Sequence, residues 1–332
     1  MSDLVYSAAA ERMVLGPLAR WGYRQHLRGR GTPESAYRAM RKLYGAPTTV
    51  AFDRLAGQAA EEHPLLDLGP DPAGLVAGQV GSLVEGLRRD GFVRLDDRLP
   101  EAWCDELTAA ASAAECDLVD AAGDATTARF DPSAPIAVRY EVSEFDVLAS
   151  AAAQRVLADA SLLALAQEYL GAAPILDLET MWWSAAVGRG ASSAAAQQFH
   201  FDLDRLRFLK LFVYLTDVDE RHGPHVYVRG SHRTKPTPLR RDGRHPDGEV
   251  ESAFPGAVEA ITGPRGSMFL ADTLGLHKGL EVAEGHRLVF QIEWTSSLFG
   301  TAVTRPAIAE PIAELRAACA AHPWPYQRFG LA

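Results

Sequence analysis

Late in the chain the residues alternate with a period of two. In Arg287-Leu288-Val289-Phe290-Gln291-Ile292-Glu293-Trp294, the positions Leu288, Phe290, Ile292 and Trp294 are all apolar, while Arg287, Gln291 and Glu293 fall between them. Strand side chains point alternately to two faces, so one face calls for a packed layer and the other for a polar cavity. Residues 208–215 repeat the pattern. Leu209, Leu211, Val213 and Leu215 form an aliphatic face, and Phe208, Lys210, Phe212 and Tyr214 a mixed one that should look inward. Residues 175–184, with Trp182 and Trp183, read as a further strand, and residues 225–228 as a short one after a turn.

The first part of the chain has helical spacing instead. Met13, Leu15, Leu18, Trp21 and Tyr23 recur along residues 8–27. Thr32 followed by Pro33 reads as an N-cap and first helical residue, for a helix that reaches Tyr44 and stops near Gly45 and Pro47. Residues 64–72, rich in Pro, Gly and Asp, read as a linker. Residues 75–89 form another helix, ended by Gly91 and feeding a strand. A helix from Glu101 to about Ala114 turns Trp103, Leu107 and Ala110 to the core. Residues 117–135 read as a polar loop, and 148–170 as a long helix or helix pair stopped by Gly171. Residues 233–259 look like an insertion near the mouth of a barrel, and residues 307–320 like a helix. The expected organisation is a helical extension over 1–80, a strand-rich domain over 81–300, and a C-terminal helix and tail over 301–332. The class is α+β.

Charge narrows the partners. A net charge of −10 over 332 residues argues against a nucleic-acid binder and against docking on anionic lipid. No segment is apolar for long enough to span a bilayer, and the N-terminus lacks a basic region followed by an apolar run. Cys104, Cys116 and Cys319 are odd in number and have no metal-type spacing, as expected of reduced thiols in a cytoplasmic protein. The oligomeric state is left open.

The chemistry concentrates in Gln198-Phe199-His200-Phe201-Asp202. On a strand, His200 and Asp202 would aim an imidazole and a carboxylate at one point, which is two thirds of a 2-His-1-carboxylate iron site. His277, after a strand-like run and a polar turn, is the best third ligand. Arg287 would offer a bidentate grip on a carboxylate. Among the other histidines, His222 and His225 sit beside a turn and are expected in solvent. His232 should bond loop carbonyls, and His286 should face away from Arg287.

His200, Asp202, His277 and Arg287, together with Gly223-Pro224 and Gly230-Ser231-His232-Arg233, resemble the phytanoyl-CoA dioxygenase (PhyH-like) family of iron(II)- and 2-oxoglutarate-dependent oxygenases. The resemblance spans roughly residues 86–300 and implies a double-stranded β-helix, that is, a jelly-roll or cupin-like core flanked by helices. It implies iron(II), 2-oxoglutarate and O2 as cofactor and co-substrates. The reaction would be hydroxylation, or another oxidation, of a C–H bond in a small molecule, for instance in bacterial secondary metabolism, with release of succinate and CO2. His200, Asp202 and His277 would bind the metal and Arg287 the far carboxylate of 2-oxoglutarate. Gln198, Lys210, Phe212 and Gln291 are further candidates for the co-substrate. Trp182 or Trp183, Tyr214 and Asp204 are candidates for the substrate. Related halogenases lack the carboxylate ligand, so Asp202 argues against halogenation. Two alternatives remain open: a cupin-like metalloenzyme that does not use 2-oxoglutarate, and a non-catalytic binding protein on the same scaffold.

Overall fold

The computed structural model describes residues 11–46 and 49–331. Residues 8–10 of the first expected helix, and Pro47, lie outside them. A π-turn over Glu11–Leu15 leads into α1 (Gly16–His26), followed by α2 (Glu34–Tyr44) and α3 (Val50–Ala60). Their buried residues, among them Ala19, Tyr23, Met40, Leu43, Phe52 and Leu55, form a small core that also takes in Leu206 and Phe299. Thr32 does not cap α2. Its hydroxyl instead accepts a hydrogen bond from Gly300 N at 3.1 Å, and Pro33 becomes the N-cap.

After α4 (Val80–Asp90) the chain enters β1 (Phe92–Arg98), and then α5 (Glu101–Ala113). Gly91 links α4 to β1 at φ 86°, a left-handed cap that suits glycine. Next come β2 (Cys116–Ala121), β3 (Thr127–Ala128), β4 (Ala137–Val142), α6 (Glu144–Ala149), α7 (Ala151–Leu157) and α8 (Ala160–Leu170). The expected loop over 117–135 is therefore partly strand. Its composition disfavours a strand, but β4 supplies the pairing, with Leu118 opposite Tyr140. The helical stretch expected over 148–170 takes in the end of α6 and is broken into α7 and α8 because Ser150 and Asp159 each cap a new start with their side chains, as Ser143 does for α6.

The second half holds β5 (Ile175–Ala185), β6 (Phe208–Tyr214) and β7 (His225–Val228), then a 3₁₀ turn (Thr237–Arg240) and α9 (Asp247–Ala253). It continues with β8 (Val258–Ile261), β9 (Ser267–Ala271), β10 (His277–Gly279), β11 (His286–Thr295), β12 (Ala307–Ile308), α10 (Ala313–Ala321) and β13 (Gly330–Leu331). Eight strands form an antiparallel sheet in the order β1-β9-β6-β11-β5-β4-β2-β3, and a three-stranded sheet runs β10-β7-β8. Residues of both sheets line one cavity, as a double-stranded β-helix requires.

The faces divide as the alternation predicts. Leu209, Leu211 and Val213 of β6 and Leu288, Phe290, Ile292 and Trp294 of β11 join the largest core, with helix residues such as Leu87, Leu107, Val156 and Leu165. Each such side chain stabilises the fold by roughly 1.5–3 kcal/mol, so this outer layer, not the cavity, holds sheet to helices. One irregularity interrupts β5. Glu293 pairs with Leu178 but Trp294 pairs with Leu176, leaving Asp177 as an extra residue in a bulge. Leu176 joins the outer core while Leu178 lines the cavity, although they are two positions apart.

The C-terminal segment is held by Tyr326 OH on Leu157 O, Trp324 Nε1 on Ala173 O and, with the most hydrogen bonds, Arg328. Arg328 is buried and bonds Glu179 at 2.5 Å, Glu144 at 3.1 Å, Thr304 Oγ1 at 2.7 Å and the carbonyl of Leu176 at 2.9 Å.

Candidate active site

His200 and Asp202 do not lie in a regular strand. Residue 200 forms a single bridge with residue 277, His200 N donating to His277 O at 3.0 Å and His277 N to His200 O at 2.8 Å. Asp202 N then bonds Thr273 O at 2.8 Å. The extended backbone still sends His200 and Asp202 to one side, and the bridge brings His277 beside them. One ligand atom from each of the three residues lies within 4.8 Å of the others. His200 Nε2 stands 3.7 Å from Asp202 Oδ1, and His277 Nε2 3.7 Å from Asp202 Oδ2.

The protonation states favour a cation. His200 Nδ1 lies 2.9 Å from Gln198 O, and His277 Nδ1 lies 2.9 Å from Gly275 O. A carbonyl can only accept, so each ring keeps its proton at Nδ1 and turns an Nε2 lone pair to the cluster. Burial pushes the His200 imidazole down to about 3, and it also lowers that of His277. Burial alone would raise the Asp202 carboxyl, but Lys210 and the two histidines hold it well below the usual range. Two neutral imidazoles and one carboxylate on a common point form the donor set of a non-haem iron(II) centre.

The motifs around His277 fix its approach. Ser231, fully buried, donates to Val228 O at 2.7 Å and accepts from Leu276 N at 2.7 Å. Gly275 packs so tightly on Tyr227 that a Cβ there would fall 1.9 Å from the phenol oxygen. That hydroxyl bonds Asp272 O at 2.7 Å. Gly223 has φ 67°, and a Cβ would meet Leu280 O at 2.6 Å, so only glycine fits beside the strand leaving His277.

A cavity of about 190 Å³ extends from the three donors into the barrel. Arg287 lies at its wall, only 6% exposed, and donates from Nη2 to Ser184 Oγ at 3.3 Å. Its Nε has no hydrogen-bond partner and, among the described residues, no carboxylate pairs with it. Burial pushes its guanidinium down to about 10. Phe212, Gln291, Tyr214 and Trp182 line the same cavity. The Tyr214 hydroxyl is engaged with backbone, donating to Ile261 O and accepting from His225 N, so its ring acts as wall.

Other expected residues fall elsewhere. Lys210 borders the cavity, but its ammonium bonds Asp202 at 2.8 Å and Glu293 at 3.3 Å, so it supports the ligand carboxylate. Trp183 points to the opposite face of β5, stacks on Phe130 at 4.5 Å and donates to Ala111 O. It is a core residue outside the cavity. The side chain of Gln198 borders a neighbouring groove, and its contribution to the cluster is the carbonyl on His200. Asp204 is exposed and accepts from Tyr37 OH at 3.3 Å, outside the cavity. His232 bonds Arg88 O, in the last turn of α4 and not in a loop, and His286 packs on Phe130 and Trp183, away from Arg287 as expected. His225 corrects the expectation of solvent exposure. It is buried in the middle strand of the small sheet, stacks on His277 at 5.3 Å, and leaves Nε2 unpaired at the cavity wall. Arg139 was also unforeseen. It lines the cavity with its guanidinium 4.3 Å above the Trp182 ring. Its register is the only signal that could have found it: Arg139, Ser184 and Arg287 form one cross-strand row.

Comparison with curated proteins finds no match. Among solved structures, AviO1 from Streptomyces viridochromogenes Tue57 aligns at TM-score 0.45 and 17% identity, covering 70% of this chain and 100% of that one. EctD from S. alaskensis with bound Fe aligns at 0.46 and 21%, covering 64% and 75%. The non-heme alpha ketoglutarate dependent epimerase SnoN from nogalamycin biosynthesis aligns at 0.44 and 22%, covering 65% and 82%. Residues 87–283, more than half of the chain, match the sequence model of one family, and the protein therefore belongs to the phytanoyl-CoA dioxygenase (PhyH) family.

Proposed function

We propose that the protein is an iron(II)- and 2-oxoglutarate-dependent oxygenase that oxidises a C–H bond of a small molecule. The observation that carries this reading is Arg287, a buried guanidinium without a counter-ion in the same cavity as two imidazoles and a carboxylate. A buried unpaired charge is costly, and a dicarboxylate chelated at the cluster would bring its far carboxylate to relieve it.

His200, Asp202 and His277 would hold the iron, and Arg287 with Ser184 would hold the far end of 2-oxoglutarate. Iron(II) and 2-oxoglutarate together supply oxidising power from O2, with succinate and CO2 as by-products. The chain supplies position and exclusion. Lys210 bonds one oxygen of Asp202 and keeps that carboxylate ionised. The carbonyls of Gln198 and Gly275 hold both rings in the tautomer that binds metal. Trp182, Phe212 and Phe269 wall the cavity with apolar surface and limit water around the cluster.

The decisive experiment is anaerobic addition of iron(II) and 2-oxoglutarate to the purified chain, watching for the weak visible charge-transfer band of the chelate. Wild type should develop the band. Its absence, with metal still bound, would remove 2-oxoglutarate from the assignment.

A further inference from the structure

A second cavity, about 550 Å³, shares no lining residue with the first. One wall is the N-terminal layer, with Tyr44, Thr49, Phe52 and Asp53; the other is the barrel and its loops, with Arg88, Arg207, Phe208, Lys235 and Asp272. Its charge runs against that of the chain. Arg88, Arg207, Arg233, Lys235 and Arg240 line it, facing two carboxylates, in a protein of net charge −10.

Both carboxylates are already engaged. Asp272 accepts from Tyr169 OH at 2.6 Å and Leu274 N at 3.0 Å, and Asp53 accepts from Thr49 Oγ1 at 2.9 Å. The hydrogen bonds of Arg88 and Lys235 go to neutral partners. Arg88 donates to Glu168 O, and Lys235 donates to Tyr44 OH at 2.7 Å and Leu274 O at 2.5 Å, all uncharged oxygens. Among the described residues no carboxylate forms an ion pair with Arg88, Arg207, Arg233 or Lys235. Lys235 is the telling member. It is 5% exposed, and its ammonium lies 5.1 Å from the Tyr44 ring and 4.7 Å from that of Phe201. Burial brings its pKa down to about 7; Asp272 opposes that fall, and Arg240 adds to it more weakly.

Guanidinium forks around a buried ammonium suit phosphate oxygens. The volume exceeds what an inorganic ion fills and lies in the range of small-molecule sites, and the half-buried Tyr44 and Tyr169 offer ring surface over the buried Phe52 and Phe208. We propose that this cavity binds a phosphomonoester with an aromatic body, and that the ligand bridges the N-terminal helices to the barrel.

Calorimetric titration of the full chain with AMP, inorganic phosphate and adenosine, at constant ionic strength, tests this. AMP should bind one per chain and at least about tenfold more tightly than inorganic phosphate; adenosine should not bind measurably. Arg207→Glu, at an exposed position, should weaken AMP at least about tenfold while 2-oxoglutarate binding is unchanged. Lys235→Met should act likewise, with its melting profile checked in parallel. No saturable AMP binding at millimolar concentration, or AMP binding undiminished by Arg207→Glu, would overturn the proposal. Because the two cavities are separate, failure here leaves the oxygenase reading untouched.

Discussion

At the scale of single residues, Arg287 and Lys210 have opposite kinds of neighbour. Among the described residues Arg287 hydrogen-bonds only Ser184 and carries an unpaired Nε, whereas Lys210 is enclosed by Asp202 and Glu293. Losing a charge-assisted bidentate grip costs about 1.5–3 kcal/mol. Arg287→Gln should thus bind 2-oxoglutarate roughly ten- to hundredfold more weakly with metal binding intact, as read by titrating the charge-transfer band. Unchanged affinity would strip Arg287 of its role. Lys210→Met predicts the reverse pattern. Removing a partner that orients a metal ligand typically lowers metal affinity by roughly 10–100-fold. Titration with Co(II) should show that drop, and an unaltered Co(II) isotherm would reduce Lys210 to a packing residue. The sequence announced Lys210 as inward-facing, since it alternates with Leu209 and Leu211. It did not announce the contacts, because Glu293 lies on another strand and only the β6–β11 register places it opposite Lys210. His225 was hidden for a related reason. It follows a Gly-Pro turn, which signals solvent, yet pairing of β7 between β10 and β8 encloses it.

At the scale of elements, legibility followed contrast between faces. β11 and β6 each set a wholly apolar face against one that carries charged residues, and the alternation alone assigned the apolar face to the helices and the other to the cavity. β2 contains Asp117 and Asp120 and owes its strand to β4, which no local pattern reveals. The C-terminal segment is another element held by a distant partner. Burial pushes the Glu179 carboxyl up to about 8 even with Arg328 opposing the shift, so the pair is finely balanced. Removing one member of a buried pair costs roughly 3–5 kcal/mol. Arg328→Met should lower stability by about that amount in urea unfolding, and adding Glu179→Gln should restore part of it. A loss below about 1 kcal/mol would mean the tail is held by its apolar contacts instead.

For the whole molecule, the question is how the N-terminal helices sit on the barrel. Leu206 and Phe299 enter the core of α1–α3, and Lys235 lies at the same junction, bonded to Tyr44 of α2. Lys235 gives that junction a pH dependence whose sign can be fixed. Its pKa falls from 10.5 to about 7 on folding, so the unfolded chain binds more protons between those values and stability rises with pH across that window. The penalty for burying the charge is complete below about pH 7 and fades toward pH 10.5. Relative to wild type, Lys235→Met should therefore be more stable at pH 6.5 than at about pH 9.5, as compared by urea midpoints. An identical difference at both values would show that Lys235 titrates normally.

The bulge at Asp177 has a wider consequence. Upstream of it, Leu176 faces the helices; downstream, Leu178, Thr180 and Trp182 face inward, while Met181 and Trp183 face the helices. The bulge thus takes up one residue more than the alternation needs without changing which groups line the interior. Deleting Asp177 would close the bulge and leave a regular strand in which Leu176 still faces the helices and Leu178, Thr180 and Trp182 still face inward, because Leu176 and Leu178 already oppose consecutive residues of β11. The strand can thus lose a residue at this spot and keep the same interior, whereas a deletion beyond the bulge, with the bulge retained, would exchange the lining groups that follow it.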